Sequence, residues 1–487
     1  MAESTFLWHD YETFGSIGRP WDRPGSVAPR RARPSQFAAI RTTMDLEEID
    51  EPINFTCKPS MEEPPSVDAC LVTGVCPQDT LEGGLSERAF YEKVRDQFTR
   101  GTCGVGWNSF GYDDEVTRFG FWRNLMIPVY DREWRDGRSR WDLLPVFRLA
   151  LATRPESITW PERAEGGVSM RLEDLAPANG VEEHDAHDAL GDVRATIHLA
   201  RVFRKAAPKL WDHARMMNSH HEAAAVFDHT EEPLLLSDWW LGLDRNYGTV
   251  VAPVLARQKQ RVVIDLHGDP AELLDLSASE VHHRMFNREK GVPRLPVQTV
   301  RLNQSPMAVT CRVLQSDEAW ERLGLDKEVC RERWRFIQDH RNELGDRLGE
   351  VLGEPPDAPD QDVEERLYGG FPADWEVSEV IQARDSGPDA IRHAEHRVQD
   401  DRLAELLFRF LAREHPDALT EAEEERWAQH LQERISAPGT SGVPRVQEAL
   451  DRIEECRREG RDAETLDKVE VWTRELAARA GVELGSR

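Results

Sequence analysis

The stretch FLWHDYETFG (Phe6–Gly15) decides the fold, because it joins the pattern of a buried strand to two closely spaced carboxylates. Phe6 and Trp8 alternate with their neighbours as on a strand with one buried face. Asp10 and Glu12 follow, two residues apart. Since side chains at i and i+2 of a strand point to the same side, both carboxylates are predicted to project into one site. The alternative is an ordinary acidic pair on a solvent-facing surface.

Two further acidic segments, NSFGYDDEV and HDALGDV, follow within the first 200 residues. Asp113 and Asp114 in the first segment are equally compatible with a role as the cap of a helix. In the second segment, Asp188 and Asp192 are four residues apart, on one face of a predicted helix. His187 precedes that helix, although a lone histidine is more often structural than catalytic. Carboxylates drawn together repel one another, so a fold that gathers them needs divalent cations, and two such cations cleave phosphodiesters.

The composition is that of a folded protein with several domains and an acidic surface. The chain has 487 residues, a net charge of −28 and seven scattered cysteines without a CxxC pair, which indicates neither a disulfide framework nor a zinc site. The first residues lack the pattern of a signal peptide, and no apolar run approaches the roughly 20 residues of a membrane-spanning helix. We therefore expect a cytoplasmic protein without a membrane partner.

The charged residues bear on the choice of partner. The net charge of −28 by itself argues against a polyanion, so a nucleic acid would have to bind in a local basic groove. The basic residues comprise 8 lysines and 54 arginines. An arginine-rich, lysine-poor acidic chain suggests a GC-rich genome and a salt-rich cytoplasm, in which the acidic surface serves solvation.

Hydrophobic periodicity predicts an α/β region, then a small β-barrel-like region, then helices. The predicted elements are helices over Glu87–Phe98, Asp113–Leu125 and Asp188–Phe203, a buried strand over Thr102–Asn108, a β-hairpin over Val250–Leu266 and two strands within Gln298–Arg312. The Pro-rich stretch Gly353–Asp362 is predicted to be a linker. After it, leucine and phenylalanine residues between Leu403 and Leu411 follow the spacing of an amphipathic helix.

Residues 15–36 have the composition of a loop, rich in Pro and Gly. This loop is predicted to be either a disordered surface insertion or a basic flap near the active site. It carries five arginines, Arg19, Arg23, Arg30, Arg31 and Arg33.

Together the three acidic segments resemble the motifs of the DEDDh branch of the DnaQ-type 3′→5′ exonucleases. That family has D-x-E on a strand, an aromatic residue before Asp, and H-x-A-x-x-D. The matching residues here are Asp10-Tyr11-Glu12, Tyr112-Asp113 and His187 to Asp192. Other stretches, among them FAAIRT, RPESITWP, VIDLHGD and RLYGGF, resemble the bacterial members of the family that act on single-stranded DNA. The resemblance covers essentially the whole chain.

The resemblance implies an α/β fold class with three domains. An RNase H-like exonuclease domain (1–205) would be followed by an SH3-like β domain (206–352) and an all-helical C-terminal domain (353–487). The three domains would form a clamp around single-stranded DNA, which would account for processive degradation.

The resemblance also implies the roles of the site residues. Asp10, Glu12 and Asp192 would hold one Mg²⁺, and Asp10 and Asp113 would hold a second, with Mn²⁺ able to substitute. His187 would act as general base on the attacking water, since an imidazole that titrates near neutral pH suits that task.

The substrate contacts implied by the resemblance are Glu12 and Thr13 near the 3′ end and Arg118, Arg148 and Arg171 along the DNA path. The alternative for these arginines is a set of salt bridges to nearby acids, which an acidic chain offers in number.

Two further features concern stacking and a protein partner. Tyr368 and Phe371 are candidates for base stacking or for ordinary packing. Relatives of this kind are recruited by the acidic tail of single-stranded DNA-binding protein, and Arg154 matches one basic position of the pocket for that tail. Other basic residues expected near Gln315 and Gln338 are absent.

The predicted function is processive 3′→5′ hydrolysis of single-stranded DNA to 5′-mononucleotides, by a monomer that serves DNA repair and recombination. One alternative is a DEDDh ribonuclease that trims RNA 3′ ends, against which the length of the chain argues. Another is a non-catalytic DNA-binding scaffold, which would have no need to assemble like charges.

Overall fold

The computed structural model describes residues 4–15, 29–164, 166–181, 188–228, 231–237, 247–286, 292–352, 362–438 and 445–484. It divides into two compact units, each built from separate stretches of the chain. The first unit comprises Met1–Ser139, Asp185–Arg194 and Ala358–Arg487, and the second comprises Arg140–His184 and Ala195–Asp357.

Within the described ranges the strands are β1 (Thr5–Thr13), β2 (Pro34–Thr42), β3 (Ile53–Thr56), β4 (Thr102–Gly106), β5 (Ser139–Asp142), β6 (Leu234–Ser237), β7 (Thr249–Arg257), β8 (Gln260–Asp265), β9 (Val297–Arg301) and β10 (Met307–Thr310). The helices are α1 (Val67–Thr73), α2 (Pro77–Leu81), α3 (Glu87–Gln97), α4 (Asp113–Arg123), α5 (Asp131–Trp134), α6 (Leu144–Thr153), α7 (Leu172–Ala178), α8 (Ala189–Ala206), α9 (Pro208–Met217), α10 (His220–Asp228), α11 (Glu272–Asp275), α12 (Ala278–Phe286), α13 (Asp317–Arg322), α14 (Lys327–Asp339), α15 (Arg341–Val351), α16 (Asp374–Ser386), α17 (Pro388–Arg397), α18 (Asp401–Glu414), α19 (Glu421–Ser436), α20 (Arg445–Arg458) and α21 (Ala463–Arg479).

The strand that carries the first acidic pair lies inside the sheet of the first unit. β3, β2, β1 and β4 are neighbours in that order. β2 runs antiparallel to β1, with Asp10 opposite Ala38, and β4 runs parallel to it. Phe6, Leu7 and Trp8 are all fully buried. β1 is therefore covered on both faces, not on the single face that the alternation predicts, as is usual for an inner strand with a parallel neighbour.

The C-terminal helices share an apolar core with this sheet. Phe37 of β2 and Phe90 of α3 belong to the same buried cluster as Leu403, Leu407 and other residues of α16–α18. The predicted amphipathic helix is thus confirmed as α18. Its first turn is capped by Asp400, whose carboxylate accepts a hydrogen bond of 2.9 Å from the backbone of the second helical residue. A smaller cluster joins α1 to α20 and α21.

The second unit is built on an antiparallel sheet in the order β10-β6-β7-β8-β9. β7 and β8 form the predicted hairpin, and β9 pairs with β8. β10 returns to pair with β6, which places the two strands predicted within Gln298–Arg312 on opposite sides of the hairpin. Helices α6 and α15 pack on this sheet.

Local periodicity located most elements correctly. The helices predicted over Glu87–Phe98, Asp113–Leu125 and Asp188–Phe203 are α3, α4 and α8, and the predicted buried strand is β4. The predicted linker lies outside the described residues apart from its last residue. The three domain boundaries stay a prediction, because the two units divide the chain differently.

The described part of the segment 15–36 is not an exposed loop. Its last three residues begin β2. Its described arginines form ion pairs with buried glutamates, Arg30 and Arg31 with Glu365 and Arg33 with Glu364. These residues do not fit a disordered insertion, and the basic flap near the active site stays a prediction. Arg19 and Arg23 lie outside the described residues.

Two expectations from composition can be compared with the structure. All seven cysteines are free and buried, in agreement with the absence of a disulfide framework. Among the helices in the described ranges, none combines the length and the apolar character needed to cross a bilayer.

Candidate active site

Three carboxylates converge at the end of β1. Asp10 and Glu12 come from that strand and Asp192 from the first turn of α8, and one oxygen of each lies within 4.8 Å of the others. Glu12 is buried, whereas Asp10 and Asp192 are partly accessible. Asp10 and Glu12 therefore project to the same side of β1, as the spacing of two residues on a strand predicts.

A fourth carboxylate approaches from the neighbouring helix. Asp113 is the first residue of α4, and its Oδ1 accepts a hydrogen bond of 3.2 Å from the backbone N–H of Tyr11. The adjacent Asp114 instead accepts a hydrogen bond of 2.6 Å from the buried guanidinium of Arg132. Of these two neighbouring aspartates, Asp113 thus faces the acidic cluster and Asp114 belongs to an internal ion pair.

The cluster strongly opposes the ionisation of its members. Burial raises the pKa of Glu12 to about 9, and the charges of Asp192, Asp113 and Asp188 add to this effect. Burial also raises the pKa of Asp10 well above its ordinary value, again with help from the other four carboxylates. Like charges in a site of low dielectric produce such shifts unless a cation compensates them.

Asp188 supports the site in a way that the sequence did not predict. Its side chain accepts a hydrogen bond of 3.1 Å from the backbone N–H of Gly191, as the N-terminal cap of α8, and another of 3.0 Å from Nε2 of Gln36. It therefore precedes the helix and does not share a helical face with Asp192. The D-x-x-G spacing is a recognisable cap signal, but no sequence pattern indicates the contact with Gln36, 152 residues away.

Thr13 and Tyr112 connect the first two motifs. The hydroxyl groups of Thr13 and Tyr112 share a hydrogen bond of 2.6 Å, and Oγ1 of Thr13 also lies 2.8 Å from the carbonyl oxygen of Gly15. Thr117 donates to the carbonyl oxygen of Asp113, one turn back in α4. These contacts fix the end of β1 against the start of α4, where the carboxylates meet.

The donor set fits a hard divalent cation. The converging groups are carboxylate oxygens, which Mg²⁺ and Mn²⁺ prefer, and the described members of the cluster include no thiol or imidazole. Burial and the neighbouring carboxylates raise the pKa values of Asp10 and Glu12, and a bound cation would favour the charged forms of both groups. His187, the predicted general base, lies outside the described residues.

Arg118 is engaged by acids of the same unit. Its guanidinium makes two hydrogen bonds of 2.7 Å to Glu133, a further one to Glu115, and one of 3.1 Å to the hydroxyl group of Tyr368. Arg118 is buried. The salt-bridge alternative thus describes its contacts in this structure, and its predicted role on the DNA path stays a prediction.

The other predicted contact residues are more exposed or lie in the second unit. Arg171 pairs at 3.0 Å with Glu173 on the surface, Arg148 is half-buried in α6, and Arg154 at the end of that helix donates to the carbonyl oxygen of Thr153. In the first unit, the side chains of Tyr368 and Phe371 are 57% and 89% exposed. Each ring also has an aromatic neighbour in an edge-to-face arrangement, Phe119 for Tyr368 with ring centroids 5.6 Å apart and Tyr130 for Phe371 with ring centroids 6.3 Å apart. Base stacking by these rings stays a prediction.

Three family models match the chain in succession. The model described as Exonuclease matches residues 7–200, the Exonuclease I SH3-like domain matches 218–354, and the Exonuclease I C-terminal domain matches 361–476. This succession confirms the predicted fold class and the order of its domains.

Curated relatives cover most of the chain. Exodeoxyribonuclease I of Haemophilus influenzae is 35% identical over 448 residues, which span 89% of this chain and 91% of the relative. Exodeoxyribonuclease I of Escherichia coli is 34% identical over 437 residues, with 88% and 89% covered.

Solved structures give the same assignment. An exonuclease I from Methylocaldum szegediense matches with a TM-score of 0.87 and 36% identity, covering 97% of this chain and 99% of that one. The zinc-bound form of an E. coli exonuclease I–ssDNA complex matches with a TM-score of 0.86 and 31% identity, covering 98% and 100%. A structure of SSB and exonuclease I with the inhibitor CFAM matches with a TM-score of 0.85 and 31% identity, covering 97% and 100%.

Proposed function

Since the chain belongs to the exodeoxyribonuclease I family and is therefore an exonuclease, we propose that it degrades single-stranded DNA processively from the 3′ end to 5′-mononucleotides. One observation carries the proposal, the convergence of the Asp10, Glu12 and Asp192 carboxylates within 4.8 Å. The E. coli relative solved as a complex with ssDNA supports the choice of substrate. We place this activity in DNA repair in the cytoplasm.

The activity requires divalent cations, for which we propose two Mg²⁺ ions, with Mn²⁺ as a substitute. Asp10, Glu12 and Asp192 would bind one ion, and Asp10 and Asp113 the other. Bound cations supply Lewis-acid activation of water and stabilise negative charge on the leaving oxygen. The chain itself contributes the fixed orientation of the carboxylates, since β1, α4 and α8 each begin or end at the cluster.

His187 is proposed as the group that moves the proton. An imidazole nitrogen that is neutral near pH 7 can accept a proton from the attacking water. Glu12 and Thr13 are proposed to lie beside the terminal nucleotide, because the end of β1 carries both residues next to the acidic cluster.

The path of the strand is proposed to include Arg118, Arg148 and Arg171. For Arg118, a phosphate would have to compete with Glu115 and Glu133 for the guanidinium. The exposed rings of Tyr368 and Phe371 are suited to base stacking, which tolerates any sequence. Because a relative has been solved together with SSB, we further propose that Arg154 contributes to binding the acidic SSB tail.

The decisive experiment uses oligonucleotides labelled at one end. With Mg²⁺, a 3′-labelled single strand should lose its label as a mononucleotide at once, whereas a 5′-labelled strand should keep its label on the oligonucleotide until that strand is almost fully degraded. EDTA should stop both reactions. Early release of a 5′-terminal mononucleotide, or degradation that continues in EDTA, would contradict the proposal.

A second arm addresses the sugar of the substrate. Single strands of DNA and RNA with the same base order should be compared at equal enzyme concentration. The proposal requires preference for DNA, and faster removal of ribonucleotides would favour the ribonuclease alternative.

A further inference from the structure

A cluster of buried ion pairs joins the C-terminal helical region to two other segments, one that precedes β2 and one that follows β3. We call it the ion-pair cluster, and all of its residues lie in the first unit. Its members used below are Arg33, Glu62, Glu87, Glu364, Arg413 and Arg434. Buried ion pairs contribute little net stability, so stabilisation of the fold does not by itself explain the ion-pair cluster.

Glu364 belongs to the C-terminal region and accepts a hydrogen bond from Arg33 in the N-terminal part of the unit. Its side chain is 1% exposed, and it accepts hydrogen bonds of 3.0 Å from both Arg33 and Arg434, as well as one from Arg413. Burial acts to raise the pKa of Glu364, but these three arginines together with Arg123 outweigh it and hold that pKa well below the usual range. The carboxylate is therefore charged at neutral pH.

Arg33 is fixed on several sides. Its guanidinium donates to Glu364 at 3.0 Å and to Glu87 of α3 at 3.3 Å, and it lies 3.7 Å from Glu62. Glu62 in turn receives two hydrogen bonds of 2.6 Å from Arg413. The side chain of Arg33 is thus held by one acid from the C-terminal region and by two from the N-terminal part.

Phe14, the residue that follows β1, forms backbone hydrogen bonds with the segment before β2 and with the segment after β3. The N–H of Phe14 donates to the carbonyl oxygen of Arg33 at 2.8 Å, and the carbonyl oxygen of Phe14 accepts from the N–H of Ser66 at 2.7 Å. The pairing of β1 with β2 shifts register between Glu12 and Thr13. At such an irregularity the ladder alone does not fix the chain, so the anchoring of Phe14 adds a constraint two residues after Glu12.

We propose that Glu364 is a positioning residue for the metal site, which orients Glu12 through Arg33 and Phe14. The C-terminal helical region would then be part of the catalytic machinery and not only a surface beside the DNA. The chain of contacts is short: the Glu364 carboxylate holds the Arg33 guanidinium, the Arg33 carbonyl holds the Phe14 amide, and Phe14 lies two residues after Glu12. The inference rests on the proposed metal site.

The test compares Glu364→Gln with Glu376→Gln in the full chain. Glu376 is a matched control, because it is also a buried carboxylate of the C-terminal region, but its partners are the backbone N–H groups of Ala373, Gln399 and Asp400. Mn²⁺ binding is measured by electron paramagnetic resonance at a temperature where circular dichroism shows each variant folded. We expect Glu364→Gln to weaken Mn²⁺ binding by about tenfold, as is usual for residues that orient metal ligands, and Glu376→Gln to leave it unchanged.

Hydrogen exchange at the Phe14 amide supplies a second readout. In Glu364→Gln this amide should exchange faster than in the parent chain, while amides of β4 should be unaffected. If Glu364→Gln lowers only the melting temperature and leaves both Mn²⁺ affinity and Phe14 exchange unchanged, its role is structural and the inference is wrong.

A second variant keeps the inference testable if Glu364→Gln does not fold. Arg33→Lys retains the positive charge but loses the fork that bonds Glu364 and Glu87 together, and it should produce the same loss of Mn²⁺ affinity. Failure of the parent chain to bind Mn²⁺ would instead overturn the proposed metal site. Unchanged affinity in a folded Arg33→Lys, beside normal binding in the parent, would overturn the positioning role alone.

Discussion

At the residue scale, the site is defined by the contrast between carboxylates that lie against arginines and carboxylates that lie against other acids. Asp114 and Glu364 are buried against arginines, whereas Asp10 and Glu12 are surrounded by other acids. The first kind keeps its charge through ion pairs within the chain. The second kind leaves negative charge that a cation from solution must offset.

Glu12 should make the stability of the cation-free chain depend on pH. Its pKa is raised from 4.5 to about 9 in the folded chain. Between these values the folded chain retains a proton that the unfolded chain releases, so the contribution of Glu12 to stability is present below pH 4.5 and is lost as the pH rises towards 9. Unfolding in urea with EDTA, at a series of pH values across this window, measures the decline.

Glu12→Gln provides the comparison, because it removes this titration and keeps the shape of the side chain. The free energy of unfolding of the variant should fall less between the two pH limits than that of the parent. Mg²⁺ should also reduce the decline in the parent, since it favours the charged carboxylates of the folded state. Parallel pH profiles for the two proteins in EDTA would show that Glu12 titrates normally.

Asp10→Asn should separate activity from stability. Asp10 takes part in both proposed cation positions, so its loss should reduce turnover on single-stranded DNA by more than about 100-fold, beyond the range seen for outer residues of metal sites. The same change relieves repulsion among the acids, so the cation-free variant should unfold at a higher temperature than the parent. Asp96→Asn, on the exposed part of α3, should change neither quantity. Full activity of Asp10→Asn would exclude the proposed ligand set.

Local sequence patterns predict some of the site residues but not the roles that depend on remote contacts. The pair Asp10 and Glu12 could be predicted because the relation between residues i and i+2 is local. Acidic residues at the start of a helix do not by themselves distinguish Asp113 from Asp114, because their roles depend on contacts with Tyr11 and Arg132. Only the resemblance to the family motif, in which an aromatic residue precedes the aspartate, selects Asp113. The sequence alone is likewise equally compatible with a salt bridge and with a DNA contact for Arg118, because Glu133 and Tyr368 reach it only in the folded chain.

At the element scale, the position of α4 matters because its first residue is Asp113. α4 packs on α3 at Gly120, where an added Cβ would lie 1.9 Å from the nearest atom of the Tyr91 ring. Tyr91 is fully buried and its hydroxyl group donates to the carbonyl oxygen of Val116, so the ring cannot simply move aside. The close approach of these helices thus depends on a missing side chain.

Gly120→Ala should therefore be destabilising even though alanine favours helices. We expect a loss of about 1–3 kcal/mol or more from the free energy of unfolding, as for other overpacked cores, and reduced activity because α4 must shift. Gly349→Ala is the matched control, since Gly349 also lies within a helix, α15, but an added Cβ meets nothing within 4 Å. The control should gain up to about 1 kcal/mol. Urea unfolding of both variants tests the contrast, and a stabilised Gly120→Ala would refute it.

Elements were the features best predicted from sequence. Their apolar periodicity is a local property, which is why α3, α4, α8, α18 and the β7–β8 hairpin could be located. The first residues of β2, Pro34–Gln36, fall within the segment 15–36 that is predicted to be a loop from its composition. Their strand conformation is imposed by pairing with the end of β1, a contact between segments that local composition does not encode.

At the scale of the whole molecule, the first unit combines the two ends of the sequence. Residues up to Ser139 share one apolar core with the C-terminal helices, with the second unit inserted between them in the chain. Periodicity predicts that α18 has an apolar face but not which surface covers it. The order of domains could be predicted through resemblance, whereas this shared core required the structure.

The distribution of charge leads to a last prediction, for the effect of salt on DNA binding. The net charge is −28, and many arginines of the first unit are committed to acids of the same chain, among them Arg33, Arg123 and Arg132. If only the three arginines proposed for the DNA path contact phosphates, the logarithm of the binding constant should fall with that of salt concentration with a slope of about −2. Fluorescence anisotropy of a labelled single strand, with Asp10→Asn to prevent degradation, measures this slope.

A substitution of the exposed Arg171 measures the contribution of one arginine to that slope. Arg171→Gln should make it shallower by about 0.7, the contribution of one phosphate on a single strand. Arg457→Gln should not, because Arg457 pairs with Asp467 and Glu470 on the C-terminal helices. A shallow slope means that binding persists at salt concentrations that release ordinary nucleic-acid-binding proteins, as expected for an acidic chain adapted to a salt-rich cytoplasm. A slope steeper than about −4 would instead reveal an extended basic groove, and the acidic surface would then need another explanation.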